Sequence, residues 1–356
     1  MVAITQSLLL ASDVQVIPIT KDTSNNLGFF YFEESVYNFN TIVNYLSVFI
    51  SAFSLLLFGA GYFGSKLQSI EAVAVVQVSA LLLVTQENMG PAFEGLRSLR
   101  YSMGLTPLSE GQYYYEDSSI PSHINPVLSS RDSVGLINIF LLVLIVPLVV
   151  GLVLKVLSVT ACEGNWAVQR AWKYSLGSFL FYGLLFLAYG QLASLSLGLR
   201  HFEASVPSGM GILAGALFLA LLALWSIATL KYPTWFGSFK SKFFKFQISQ
   251  HFYVFSSAER VLTTLLIVSL SPGFIGAGLA ALIFTIEGVF LIAKKPYTLG
   301  TWKRPLLNKF GATVISLLFV GAAVTQADSI INQMIPILIL LILAVILMVA
   351  TVGAVS

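Results

Sequence analysis

In a chain of 356 residues, 57% are hydrophobic and only 10% are charged, against roughly 25% charged in an ordinary globular domain. A soluble surface cannot be covered on so little charge, whereas lipid-facing helices must do without it, because a charge at mid-membrane costs on the order of 3 kcal/mol. A net charge of +3 spread over dispersed basic residues gives no nucleic-acid footprint, and the single cysteine, Cys162, excludes an intrachain disulfide or a thiolate metal cage.

Taken in chain order, residues 1–40 form a polar segment with a short strand-like run, Val14–Ile19, and an acidic-aromatic stretch from Phe29 to Glu34. Residues 41–354 read as an all-α polytopic bundle of about nine spans, since a helix needs about 20 mostly apolar residues to cross the hydrocarbon. The candidate runs are Thr41–Phe63, Leu67–Gln86, Val134–Leu154, Tyr174–Leu199, Met210–Leu230, Phe255–Leu270, Phe274–Ala293, Leu306–Val324 and Ile330–Val352. The second carries Glu71 and Gln77 and the sixth opens with Glu259 and Arg260. For these two a re-entrant or half-buried segment is the alternative. Small residues such as Gly215 and Gly276 suit close helix packing in lipid.

The longest connection, residues 87–133, is broken up by Pro91, Gly104, Pro107, Gly111, Pro121 and Pro126 and reads as an irregular outer loop. Its Tyr113, Tyr114, Tyr115, Glu116 and Asp117 read as an interfacial aromatic anchor with solvated acids, the alternative being a cation or partner site. On the opposite side, residues 232–255 interleave Lys240, Lys242 and Lys245 with Trp235, Phe239 and Phe243. That pattern predicts a helix lying in the inner leaflet, with anionic lipid as its partner.

Orientation follows from the positive-inside rule. With about nine spans and the N-terminus outside, only Lys21, Arg97, Arg100, Arg131 and Arg200 of the 19 basic residues fall outside. The others, including Lys66, Lys155, Arg170, Lys231, Lys294 and Lys309, fall inside. Val2–Ala11 lacks a basic leader, so the outer N-terminus is expected either from a longer precursor or from translocation by the first span.

No phosphate-binding loop, H-E-x-x-H pair or G-x-S-x-G elbow occurs, and His123, His201 and His251 lie far apart. The chain is therefore expected to be no enzyme and to hold no metal or cofactor. No single span carries paired carboxylates or a chain of Asp, His and Lys, so a proton relay has little to work with. The intramembrane polar candidates are Glu71, Gln77, Arg260 and Glu287. Arg260 and Glu287 lie at similar distances from the Ser271-Pro272-Gly273 turn, and this shared depth predicts a salt bridge between them.

From Phe243 to Phe319 the order is an aromatic-basic lead (FFKFQISQHFYVF), then SSAERVLTTLLIV, the Ser-Pro-Gly turn, a span ending FLIAKKPY and a basic loop before Asn308. This resembles the C-terminal membrane module of TRP-like proteins, found in fungal flavin-carrier-type channels and large surface proteins of ciliates and related protists. Pro296, Tyr297 and Asn308 fit that pattern, Glu259 departs from its basic pair, and the run around Gln77 is similar to one of its spans. The resemblance implies an ectodomain or protein partner on the outer side and a plasma or ciliary membrane, with an organellar membrane as the alternative. Two functions are carried forward: a noncatalytic membrane anchor or structural subunit of a larger assembly, and a TRP-like ion channel or small-solute transporter module.

Overall fold

A computed structural model describes residues 27–64, 67–85, 91–103, 146, 148–200, 206–232, 250–270, 273–296, 303–325 and 330–355, and all regular structure among them is helical. In chain order the helices are α1 (Leu27–Gly64), α2 (Leu67–Thr85), a 3-10 helix (Pro91–Met103), α3 (Leu148–Val159) and α4 (Trp166–Ser178). A π-helical turn, Phe179–Gly183, joins α4 to α5 (Leu184–Arg200). Then follow α6 (Val206–Lys231), α7 (Gln250–Ser269), α8 (Gly273–Lys294), α9 (Lys303–Val324) and α10 (Ile330–Val355).

Among the described residues, seven apolar stretches are long enough to cross a membrane: Phe39–Tyr62, Trp166–Ala193, Ile212–Lys231, His251–Ser269, Gly273–Lys294, Lys303–Val324 and Asn332–Val352. They correspond to seven of the runs expected from the sequence. Of the remaining two, the second contains a shorter apolar helix, Ser69–Leu83, while the third, Val134–Leu154, lies mostly outside the described residues and overlaps at its end with a shorter apolar helix, Leu148–Val159. The protein is thus a helical, multi-pass integral membrane bundle.

Burial sorts the helices into a centre and a rim. Every residue of α2 from Ser69 to Leu83 is buried, as is α5 and its π turn from Phe181 to Ala193. The Ala, Val and Ser side chains of α2 are small enough to admit neighbours on all sides. The rim helices are apolar on both faces. On α6, Phe218, Leu222 and Trp225 point inward while Leu213, Leu217 and Leu224 are exposed, Leu224 by 66%. On α10, Ile335, Ile339 and Ile346 are buried and Leu338, Leu341 and Met348 are exposed. A helix hydrophobic all round needs an apolar solvent on its outer face.

Close approach uses small residues, as expected. A Cβ on Gly215 of α6 would lie 2.6 Å from the Leu195 side chain of α5, and one on Gly276 of α8 would lie 2.7 Å from the Leu266 carbonyl of α7. Aromatic pairs join the layers. Phe58 of α1 stacks on Phe186 of α5, Phe181 meets Trp225 and Tyr253 edge-on, and Phe255 of α7 stacks on Phe290 of α8.

The π turn has a structural partner. Widening the helix disturbs the regular carbonyl ladder, and the Tyr253 hydroxyl donates a 2.8 Å hydrogen bond to the Leu180 carbonyl within it.

Two expectations change here. Within the stretch read as an irregular outer loop, Pro91–Met103 is helical and buries Phe93, Leu96, Ser98, Leu99, Ser102 and Met103. The boundary of the expected inner-leaflet helix also moves: Gln250–Phe255 already belongs to α7, with Phe252 and Tyr253 buried. Trp235, Phe239, Lys240, Lys242, Phe243 and Lys245 lie outside the described residues, as do Tyr113–Asp117.

Candidate functional site: a buried charge network

The site grows from five helices. Glu71 lies four residues into α2, Glu259 and Arg260 at the middle of α7, Glu287 seven residues before the end of α8, Lys309 six residues into α9, and Tyr189 on α5. At about 1.5 Å per residue, Glu71, Glu287 and Lys309 lie roughly 6 to 11 Å from the ends of their helices. Those ends sit on the side of the bundle that carries the α1–α2 and α8–α9 connections. Antiparallel packing brings charges from distant parts of the chain to one level.

Arg260 donates from Nη2 to Glu71 Oε1 at 3.0 Å. The Lys309 ammonium stands among three carboxylates, 2.8 Å from Glu287 Oε2, 3.4 Å from Glu259 Oε2 and 3.7 Å from Glu71 Oε2. The Tyr189 hydroxyl donates to Glu259 Oε1 at 3.1 Å, and the Thr263 hydroxyl donates to the same oxygen at 3.3 Å. The Arg260 guanidinium also lies 5.8 Å from the centre of the Tyr189 ring, within cation–π range. All these groups are buried; Arg260 and Glu287 are 0% exposed.

The expected Arg260–Glu287 pair does not form. Arg260 pairs with Glu71 and Glu287 with Lys309, so the two residues are linked only through the chain Arg260, Glu71, Lys309, Glu287. Shared depth brought them into one network, but depth does not fix the rotational phase of a helix, and phase selects the partner. Three of the four sequence candidates, Glu71, Arg260 and Glu287, come together. Gln77 does not join them. Six residues further along α2, about 9 Å away, it donates from Nε2 to the Ser102 and Phe186 carbonyls, both at 3.0 Å.

Sequence reasoning missed Lys309 and Glu259. Lys309 falls three residues inside the run Leu306–Val324, which was the available signal, yet it was assigned to the inner charges. Glu259 was singled out as a charge opening the sixth run and as a departure from a basic pair, but not as a site residue. The reading that a proton relay has little to work with considered spans one at a time, whereas the bundle brings together Glu71, Glu259 and Glu287 from three helices.

Formally ionised, three carboxylates face two cations, so the network carries a surplus negative charge. A buried ion costs several kcal/mol after relaxation, and a surplus one has no partner to offset that cost. Glu287 Oε1 and the Nε and Nη1 groups of Arg260 make no hydrogen bond to any described residue. The arrangement can hold or hand on a positive charge at a carboxylate while Arg260 and Lys309 remain fixed counter-charges. Among the described residues no three His, Cys, Asp or Glu side chains are placed to hold a metal ion.

No family model, no curated protein and no solved structure matches the chain.

Proposed function

We propose that the chain is a proton-coupled membrane transport protein or channel module of TRP-like type, with about nine spans, the N-terminus outside and the Glu71–Glu259–Arg260–Glu287–Lys309 network as its coupling element. The observation that carries this reading is the network itself, with one carboxylate more than its cations can neutralise. Ionisable groups inside a membrane are costly, and their usual uses are ion pathways and relays. A plain anchor or structural subunit, the competing reading, has no need of such a network, since apolar side chains of the same volume would pack its core at equal or lower free energy.

In the proposed cycle a proton arriving on water bonds to a carboxylate oxygen of the network, neutralising the surplus charge, and leaves to water on the other side. No electrons move. The groups that set the balance are Glu71 from α2, Tyr189 from α5, Glu259 and Arg260 from α7, Glu287 from α8 and Lys309 from α9.

Purified protein in liposomes containing a pH-sensitive dye, with a potassium-valinomycin potential imposed, tests the reading. Proton uptake faster than in protein-free liposomes, and reduced to that background by Glu287→Gln, is the expected result. Wild-type uptake no faster than background overturns it.

A further inference from the structure

Glu71, Glu259 and Glu287 differ in what surrounds their oxygens. Glu71 faces both cations: Arg260 Nη2 donates to Oε1 at 3.0 Å, and the Lys309 ammonium lies 3.7 Å from Oε2. Glu259 accepts from the Tyr189 and Thr263 hydroxyls on Oε1, at 3.1 and 3.3 Å, and from Lys309 Nζ on Oε2 at 3.4 Å. Each oxygen of these two carboxylates therefore has a donor beside it. Glu287 does not. Lys309 stands 2.8 Å from its Oε2, while its Oε1 makes no hydrogen bond to any described residue. The residue is 0% exposed, so bulk solvent does not make up the difference.

The Lys309 charge is also the most divided in the network. Three carboxylates share it, and its Nζ lies 5.6 Å from the centre of the Phe284 ring, one turn before Glu287 on α8. Phe284 adds cation–π attraction for the ammonium but offers no hydrogen bond to the carboxyl. Arg260 and Lys309 together balance two carboxylates and leave the third. A buried carboxylate without a full partner takes up a proton instead of keeping its charge.

We infer that Glu287 is the carboxyl on which the network carries its proton, bound at Oε1 at neutral pH; this names the carrier within the transport reading above and rests on that reading for its part in flux. The step forms an O–H bond on Glu287 Oε1 from hydronium, leaves water behind and transfers no electrons. It breaks no described contact, because Lys309 stays beside Oε2, the carbonyl oxygen of the neutral acid. The same proton on Glu71 or Glu259 would be set against a donor already in place. When the proton leaves, Lys309 answers the new charge at the expense of Glu71 and Glu259. The groups that set this balance are Glu71 from α2, Tyr189 from α5, Glu259 and Arg260 from α7 and Lys309 from α9.

Three isosteric variants, Glu71→Gln, Glu259→Gln and Glu287→Gln, test the assignment, since glutamine copies a neutral carboxyl and not an ionised one. Melting is followed at neutral pH in an ester-free maltoside detergent. Glu287→Gln is expected to melt within about 2 °C of wild type and the other two at least about 5 °C lower, because each of those strips an ionised partner from Arg260 or Lys309. Infrared spectra give a second readout. Exposed carboxyls are ionised at neutral pH, so a protonated-acid C=O band there marks a buried acid, expected in wild type and absent from Glu287→Gln. Glu71→Gln and Glu259→Gln also remove the surplus charge, so the band is compared only between wild type and Glu287→Gln. A Glu287→Gln protein that melts as low as the other two, or a wild type without the band, overturns the assignment and leaves the transport reading standing if wild-type liposomes still take up protons. A tolerated Glu287→Gln that loses the band, with wild-type liposomes showing no uptake, upholds the proton on Glu287 and removes the transport reading.

Discussion

Lys309 and Arg260 set the residue-scale energetics. Each is buried against carboxylates, so removing one partner leaves an uncompensated charge that costs about 3–5 kcal/mol. Lys309→Met is expected to lower stability by that order, as measured by the unfolding midpoint in detergent, because Glu287 then loses its only described ion pair. Arg260→Met and Glu71→Leu are each expected to destabilise comparably. The double variant should cost less than the sum of the two, because removing both members of a pair leaves neither charge exposed to the apolar interior. Strict additivity in that cycle would show that the 3.0 Å contact carries no coupling. Lys309→Arg is expected to fold yet fit poorly, since a planar fork does not replace a compact ammonium among three carboxylates.

At the scale of elements, the 3-10 helix packs closely on α1. Gly95→Leu is expected to destabilise by about 1–3 kcal/mol through overpacking, because its side chain would meet the Asn40 backbone rather than a flexible tip. An unchanged melting temperature would mean that the helix is free to move off α1. The α7–α8 hairpin was legible from Ser271-Pro272-Gly273, and the long spans from the absence of charge over about 20 residues. The 3-10 helix was not. A linear scan cannot see that Ser51 and Gln77 would bind the Ser98 and Ser102 carbonyls inside the bundle. The burial of Ser47, Ser51 and Ser54 on one face of α1 was in principle visible from their three-and-four spacing, although serines scattered through an apolar run look like ordinary small residues.

For the whole molecule, the membrane class and most of the helices could be read from sequence because lipid imposes one requirement on every span. The arrangement of the spans could not. Lipid and protein interior are both apolar, so a rim helix such as α6 gives little sign of which face turns inward. Residues 189 positions apart, Glu71 and Arg260, meet only once that rotation is known. Orientation is open to direct test: single cysteines replacing Ser118, Ser238 and Thr301 in sealed, right-side-out vesicles should react with an impermeant reagent only at position 118. Labelling at 301 would invert the proposed topology.

The central claim is that the buried charges serve transport and not the fold. Its most direct measurement compares wild type with a variant in which all five are made apolar, Glu71→Leu, Glu259→Met, Arg260→Met, Glu287→Leu and Lys309→Met, assayed together for unfolding and for proton flux in liposomes. If the claim holds, the apolar variant is as stable as wild type or more so, since burying ions stabilises less than burying apolar groups of like volume, and its flux falls to background. A variant that unfolds, or one that keeps its flux, contradicts it.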